Sequence, residues 1–210
     1  VNLGKTEALM PFKEAIPSET FRQRERVKGL ILDVEKGQKG CMILMSRTHP
    51  GFLIKLFELE VPEIQEGIIK VMGAAREPGE RAKISVYSED PDIDPIGACV
   101  GVKGSRVQSI VQELRGEKID IIPYNRDIAK FVCNTLAPAR VSKVYINEEE
   151  HSMEIIVNDD QLSLAIGKKG QNVRLASKLT SWKIDISSES EVEKTSRKII
   201  DELMENLKVS

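Results

Sequence analysis

Gly101-Val102-Lys103-Gly104 and Gly167-Lys168-Lys169-Gly170 are the two places in this sequence where residue types and spacing suit a specific chemistry. Glycine at both ends of a short loop removes the Cβ atoms that would hold a phosphodiester backbone away. The middle pairs add positive charge. A helix that starts after the loop presents amides without intrahelical partners and the positive end of its dipole. The expected chemistry is the gripping of a phosphate chain. A tight helix–helix turn would also account for the glycines, but a plain turn has no need of lysine between them in both copies.

Other chemistries find less support. Gly97, Gly101 and Gly104 give GxxxGxxG, not the GxGxxG of a dinucleotide fingerprint, and a helix precedes the loop instead of a strand. Gly4-Lys5-Thr6 resembles the close of a phosphate-binding GxxxxGK[ST] loop, but Val1 to Leu3 reads as a strand and Pro11 leaves little room for the helix that motif requires. His49 and His151 stand alone, without metal-ligand spacing. No nucleophile stands beside a base, so neither catalysis nor a cofactor is expected. Cys41, Cys99 and Cys133 are odd in number and set among apolar neighbours; they read as buried free thiols of a reducing, cytoplasmic protein. No apolar run approaches the ~18 residues of a membrane span, and the N-terminus has no signal-peptide pattern.

The net charge of −2 argues against a nucleic-acid partner until its distribution is considered. Between Asp160 and Asp185 there is no acid, while Lys168, Lys169, Arg174, Lys178 and Lys183 fall there. Between Asp94 and Glu113 there is again none, with Lys103 and Arg106 inside. Acids gather elsewhere, as at Glu148 to Glu150. A basic face on an acidic body attracts phosphate locally.

The elements that position the loops follow from an internal repeat. Asp94 to Gly104 aligns with Asp160 to Gly170, Val107 with Val173, and, after a one-residue deletion, Leu114 with Leu179 and Lys118 to Ile121 with Lys183 to Ile186. In the first copy Pro50 to Glu60 reads as a helix with Phe52, Leu53, Leu56 and Leu59 on one face. Ile68 to Ala75 and Arg81 to Tyr87 read as strands. Asp94 and Pro95 open a short helix, the loop follows, and a helix carrying Val107, Ile110, Val111 and Leu114 leads to a strand at Lys118 to Ile122. The second copy repeats this order. Asn125 caps a helix with Ile128, Phe131, Val132 and Leu136, strands follow at Val141 to Ile146 and Met153 to Val157, and Asp160 caps the helix before the loop. A helix with Val173, Ala176 and Leu179 and a strand from Lys183 to Ile186 complete the copy. This α-β-β-α-α-β order with GxxG between paired helices is that of a type II KH module, which clamps about four nucleotides. Val100 and Ile166, just ahead of the loops, are expected to floor the groove for unstacked bases.

The expected fold class is α+β, with three domains: residues 1–47, 48–123 and 124–210. The first shows strands at Lys5 to Met10, Val27 to Asp33 and Cys41 to Ser46, with a turn at Glu35 to Gly40, and suggests an OB-type β-barrel. It is too short for five strands and the chain lacks an initiator Met, so a strand is expected before residue 1. Arg22, Arg24, Arg26 and Lys28 with Phe12 or Phe21 suit RNA contact or, equally, a solvated strand face over core rings. Ser190 to Leu207 reads as an amphipathic helix, capped by Ser190 and Glu193, with Val192, Ile199, Leu203 and Leu207 apolar; packing on the second KH module is the plainer reading and a partner-binding helix the other.

At Ser46 to Pro50, Ala75 to Lys83, Asp94 to Gly104 and Asp159 to Ala176 the sequence closely resembles the NusA family of bacterial transcription factors. The resemblance covers nearly the whole chain. It implies an OB barrel and two KH modules forming one RNA-binding surface for single-stranded, nascent RNA. It also implies association with RNA polymerase through the full-length protein, contact with other transcription factors, and roles in pausing, intrinsic termination and antitermination. The family's RNA contacts carry over to Gly101, Val102, Lys103, Gly104 and Arg106, and to Gly167, Lys168, Lys169, Gly170 and Arg174. Val102 departs from the proline or lysine-like residue more usual there, which weakens the first loop slightly. Two other classes compete: accessory modules of an RNA-processing enzyme such as a phosphorolytic exonuclease, where the module order differs, and a protein scaffold with inactive loops, which intact lysines in both loops oppose.

Overall fold

The computed structural model describes residues 1–37 and 40–208, which fall into two compact units, residues 1–124 and 125–210. Three small sheets of three strands each, with helices between them, make the fold α+β among the described residues.

The first unit opens with a sheet of β1 (Ala8–Leu9), β2 (Leu30–Gly37) and β3 (Gly40–Ser46), ordered β1-β3-β2. The strand expected from Lys5 shrinks to two residues because the chain turns just before it: Leu3 N donates to the Thr6 carbonyl and Asn2 bridges Glu7. The strand expected from Val27 starts later, since the Lys28 carbonyl accepts from Arg47 instead of from a strand neighbour. Of the turn expected at Glu35 to Gly40, Gln38 and Lys39 lie outside the described residues.

The helix α1 (Pro50–Glu60) forms as expected, with His49 Nδ1 accepting from Gly51 N at 3.0 Å and Pro50 at its first position. It buries Phe52, Leu53, Leu56 and Phe57, whereas Leu59 is 70% exposed, so the apolar face sits further round the helix than the sequence suggested. A short α2 (Pro62–Gln65) leads to β4 (Ile69–Glu77) and β5 (Arg81–Ser88), then α3 (Pro95–Val100), α4 (Ser105–Glu113) and β6 (Lys118–Pro123). β4 pairs antiparallel and β6 parallel with β5, placing Ile84 beside both Ala74 and Ile121. Ile84, Val86, Cys99, Ile110 and Leu114 meet the α1 face in one core. Each such fully buried side chain contributes about 1.5–3 kcal/mol.

Ile16, from the segment before β2, enters the same core. Arg47 ties that segment down by pairing with Glu19, donating to Glu113 at 2.9 Å, and lying 5.1 Å over the Phe52 ring. Beneath it Arg76 and Glu117, both fully buried, form a bidentate pair with bonds of 2.8 Å. Arg76 also donates to the Arg47 and His49 carbonyls, and Glu117 accepts from Gly79 N, so these charges are compensated by hydrogen bonds as burial demands.

The second unit repeats the plan with α5 (Ile128–Leu136), β7 (Val141–Asn147), β8 (Ser152–Val157), α6 (Asp159–Ile166), α7 (Gln171–Thr180) and β9 (Lys183–Ser188). Its sheet order β7-β8-β9, parallel β8–β9 pair and bulge in the first strand match those of the first copy. Val132, Leu136, Met153, Ile155, Ala165 and Ala176 form its core. Two caps differ from expectation. Asp127, not Asn125, caps α5, because the Asn125 side chain is taken by Asp127 N. Asn158 stands at the start of α6, and Asp160 lies inside its first turn.

The last helix, α8 (Glu189–Lys208), starts on a capping box shifted by two residues: Ser188 Oγ accepts from Glu191 N, and Glu191 accepts from Ser188 N. Beyond Val192 its described side chains are exposed, Ile199 at 52%, so among the described residues the expected packing does not extend past the first turn. The side chains of Leu203 and Leu207 lie outside the described set. Of the thiols, Cys99 is buried and pushed up to about 12, first by burial, then by Glu63. Cys133 is half-buried, and Cys41, expected inside, is exposed on β3.

Candidate nucleic-acid interface

Each loop is built as a break between two helices. Asp94 accepts from Ile96 N at 3.0 Å and Pro95 follows, which starts α3; the helix stops at Gly101, with φ 75° and ψ 173°. Gly167 stops α6 at φ 76° and ψ 170°. L-residues with side chains essentially do not adopt that region. A Cβ on Gly101 would lie 2.7 Å from Arg106 Cγ, and one on Gly167 2.7 Å from Asn172 Cβ. The first glycine therefore serves packing inside the module, which differs from the backbone clearance expected of it. At the second glycine a Cβ would meet nothing nearer than 3.9 Å, so clearance is real there.

Between the glycines the chain makes a single 3-10 turn in both copies. Lys103 at φ 52° and Lys169 at φ 54° are left-handed, a conformation costing about 1–2 kcal/mol for a residue with a side chain. Gly104 N donates to the Gly101 carbonyl and Ser105 N to Val102; Gly170 and Gln171 do the same in the second copy. These amides, expected to face a ligand, are thus used within the loop. The exposed groups are the middle side chains: Val102 (82% exposed), Lys103, Lys168 and Lys169. Val100 and Ile166 close the preceding helices half-buried.

The arginines beyond the loops do not occupy equivalent positions. Arg106 stands two residues past its second glycine, where the other copy has Asn172; Arg174 stands four past, opposite Gln108. Arg106 Nη1 reaches back to the Ala98 carbonyl at 2.6 Å and pairs with Glu63 at 3.0 Å. Asn172, 8% exposed, makes the same return with Nδ2 donating to the Ala165 and Leu136 carbonyls at 3.1 and 3.2 Å. These side chains staple the first helix of each pair to the second. Sequence reasoning missed Asn172 and Glu63, although the repeat sets Asn172 opposite Arg106. Arg174 is exposed, with Nη1 on the Lys169 carbonyl at 3.2 Å.

In the first unit Phe12 is 90% exposed, while Phe21, Arg26, Lys28 and Arg115 line a cleft of about 330 Å³. Glu25 pairs with Arg115 and Glu113 with Lys28 at its walls, so its charges are largely matched internally. Among the described residues no group of His, Cys, Asp or Glu could hold a metal ion, and no helix is long and apolar enough to cross a membrane.

Family models for a NusA-like first KH domain and a NusA-like second KH domain match residues 47–124 and 128–194. The Transcription termination/antitermination protein NusA of Halalkalibacterium halodurans is 58% identical over 193 residues, 92% of this chain and 50% of that protein. The proteins of the same name from Bacillus subtilis and Borreliella burgdorferi are 56% and 50% identical, over 91% of this chain in each case and 52% and 40% of their own length. The chain thus spans about half the length of the curated relatives it matches, whose names describe a transcription protein and not an enzyme. A solved structure, that of APE1850, shares the fold with TM-score 0.51 at 22% identity, over 66% of this chain and 97% of its own. With both KH domains matched and this identity along nine-tenths of its length, the chain belongs to the NusA family.

Proposed function

We propose that the chain binds single-stranded RNA through both loops, as the RNA-reading part of a cytoplasmic factor acting on pausing, intrinsic termination and antitermination by RNA polymerase. The observation that carries this is the duplicated loop: two exposed turns of matching dihedral angles, each presenting lysine from a helix–loop–helix of a KH domain. The contact set is Gly101, Val102, Lys103, Gly104 and Arg106 in the first module and Gly167, Lys168, Lys169, Gly170 and Arg174 in the second. The transcript is the natural ligand, since KH grooves take splayed bases and not duplex. Polymerase and other transcription factors are engaged through the full-length protein, and residues 1–47, 48–123 and 124–210 serve as its barrel and two KH domains.

The test is filter binding of a single-stranded oligonucleotide at two salt concentrations. Lys168→Asp with Lys169→Asp should weaken binding more than Val102→Asp with Lys103→Asp, because more positive charge surrounds the second loop. Each lost lysine–phosphate contact should lower the salt slope by about 0.7. Aspartate tolerates the left-handed position, so melting should barely move. Unchanged affinity in the second-loop variant, or equal binding of the duplexed strand, refutes the assignment.

A further inference from the structure

The two loops are alike in backbone but differ in the charge left for a ligand. Around the second, Lys168 and Lys169 are both exposed. Around the first, Val102 takes one lysine's place and Arg106 is engaged by Glu63, through Nη1 contacts of 3.0 and 3.2 Å. Both partners remain about a third exposed, at 29% and 32%, so the pair sits at the surface beside Gly101 and not inside the fold. Glu63 belongs to the short α2 that follows α1, outside the helix–loop–helix itself. Its own backbone amide first, and Arg106 after it, hold its carboxyl below the usual carboxylate range, so it is ionised at neutral pH. The second module needs no such acid, because neutral Asn172 does the stapling there.

We propose that Glu63 competes with RNA for Arg106, and that this internal carboxylate sets the first loop's affinity for phosphate below the second's. The inference rests on the RNA-binding reading above. A phosphate arriving at Gly101 must either displace a carboxylate already on the guanidinium or sit beside its negative charge; both cost binding energy. Exposed pairs are worth little to the fold, so the pair's larger effect falls on the ligand.

The experiment uses the full chain and one single-stranded oligonucleotide at low and high salt. Glu63→Gln should bind about three- to tenfold tighter at low salt, with a slope steeper by about 0.7 for the added phosphate contact, and the gain should shrink as salt screens it. Glu63→Ala should act in the same direction, and adding Arg106→Gln to either should abolish the gain. Glu66→Gln, which removes an exposed acid from the same region without touching Arg106, is the control for net charge. Unchanged or weaker binding by Glu63→Gln, or an equal gain from Glu66→Gln, overturns the proposal. The Lys168→Asp, Lys169→Asp variant runs in parallel: if it loses binding while Glu63→Gln gains none, only the role of Glu63 fails, and if it too is unaffected, the RNA reading fails with it.

Discussion

The two KH modules close the same joint with opposite chemistry. In both, the amide that starts the last strand donates to a carbonyl of the hairpin turn: Lys118 to Glu80, and Lys183 to His151, each at 3.1 Å. The residue just before is Glu117 in one and Trp182 in the other. Glu117 locks the turn with a buried charge pair to Arg76, whereas Trp182 stacks on the His151 ring at 4.0 Å. Two residues further along that strand, Asp120 holds Arg81 and Lys83, while its counterpart Asp185 is exposed beside Lys183. The loops show the reverse distribution, with Lys168 and Lys169 exposed in the second module and Arg106 paired with Glu63 in the first. One backbone plan therefore accepts either polar or aromatic closure, which leaves charge free to be placed inside the module or on its exposed loop.

The sharpest test of this contrast is to remove each closure. Glu117→Ala strands Arg76 without a counter-charge and should cost about 3–5 kcal/mol in urea denaturation. Trp182→Ala removes a half-exposed stack and should cost about 1–2 kcal/mol. Equal losses would mean that the buried pair and the stack are interchangeable in energy as well as in place.

A smaller effect separates the glycines within each loop. Gly101→Ala or Gly167→Ala combines backbone strain of about 1–3 kcal/mol with a clash of similar size against Arg106 or Asn172. Gly104→Ala or Gly170→Ala meets only an ordinary van der Waals contact at 3.9 Å and left-handed strain, about 1–2 kcal/mol. Melting curves should rank the first glycine above the second in both modules, and the reverse ranking would contradict the packing role assigned to it.

The mildest difference is in acid. Burial alone would raise the Asp120 carboxyl, but Arg81 and Lys83 outweigh it and hold it below its ordinary value. A depressed carboxylate contributes stability that is present above its unfolded pKa of about 3.9 and lost as pH falls through the folded value. Wild-type protein should therefore lose melting temperature below about pH 4, and Asp120→Asn, though less stable at neutral pH because Lys83 loses its partner, should show a flatter acid limb.

Element order, the strands of the two KH modules and both loops were legible in the sequence because they rest on local signals: an apolar period of helix or strand, turn residues, and a repeat that states each signal twice; the strands of the first sheet, outside the repeat, were not. Misplaced caps fell where several candidates stood together, as at Asn125 and Asp127 or Ser188 and Ser190, and backbone geometry chose among them. Leu59 and Cys41 are exposed because a local period does not reveal which edge of a face meets the core.

What the sequence determined by itself is the type of each element, the duplication, and the residues that carry charge to the loops. Tertiary structure alone decided which of those charges remain open to a ligand. The residues next to Arg106 in the chain do not reveal its partner, since a guanidinium's electrostatic role depends on what lies within a few ångströms of it. Glu63 is 43 residues from Arg106 along the chain, and only the packing of α2 beside the loop brings the carboxylate there.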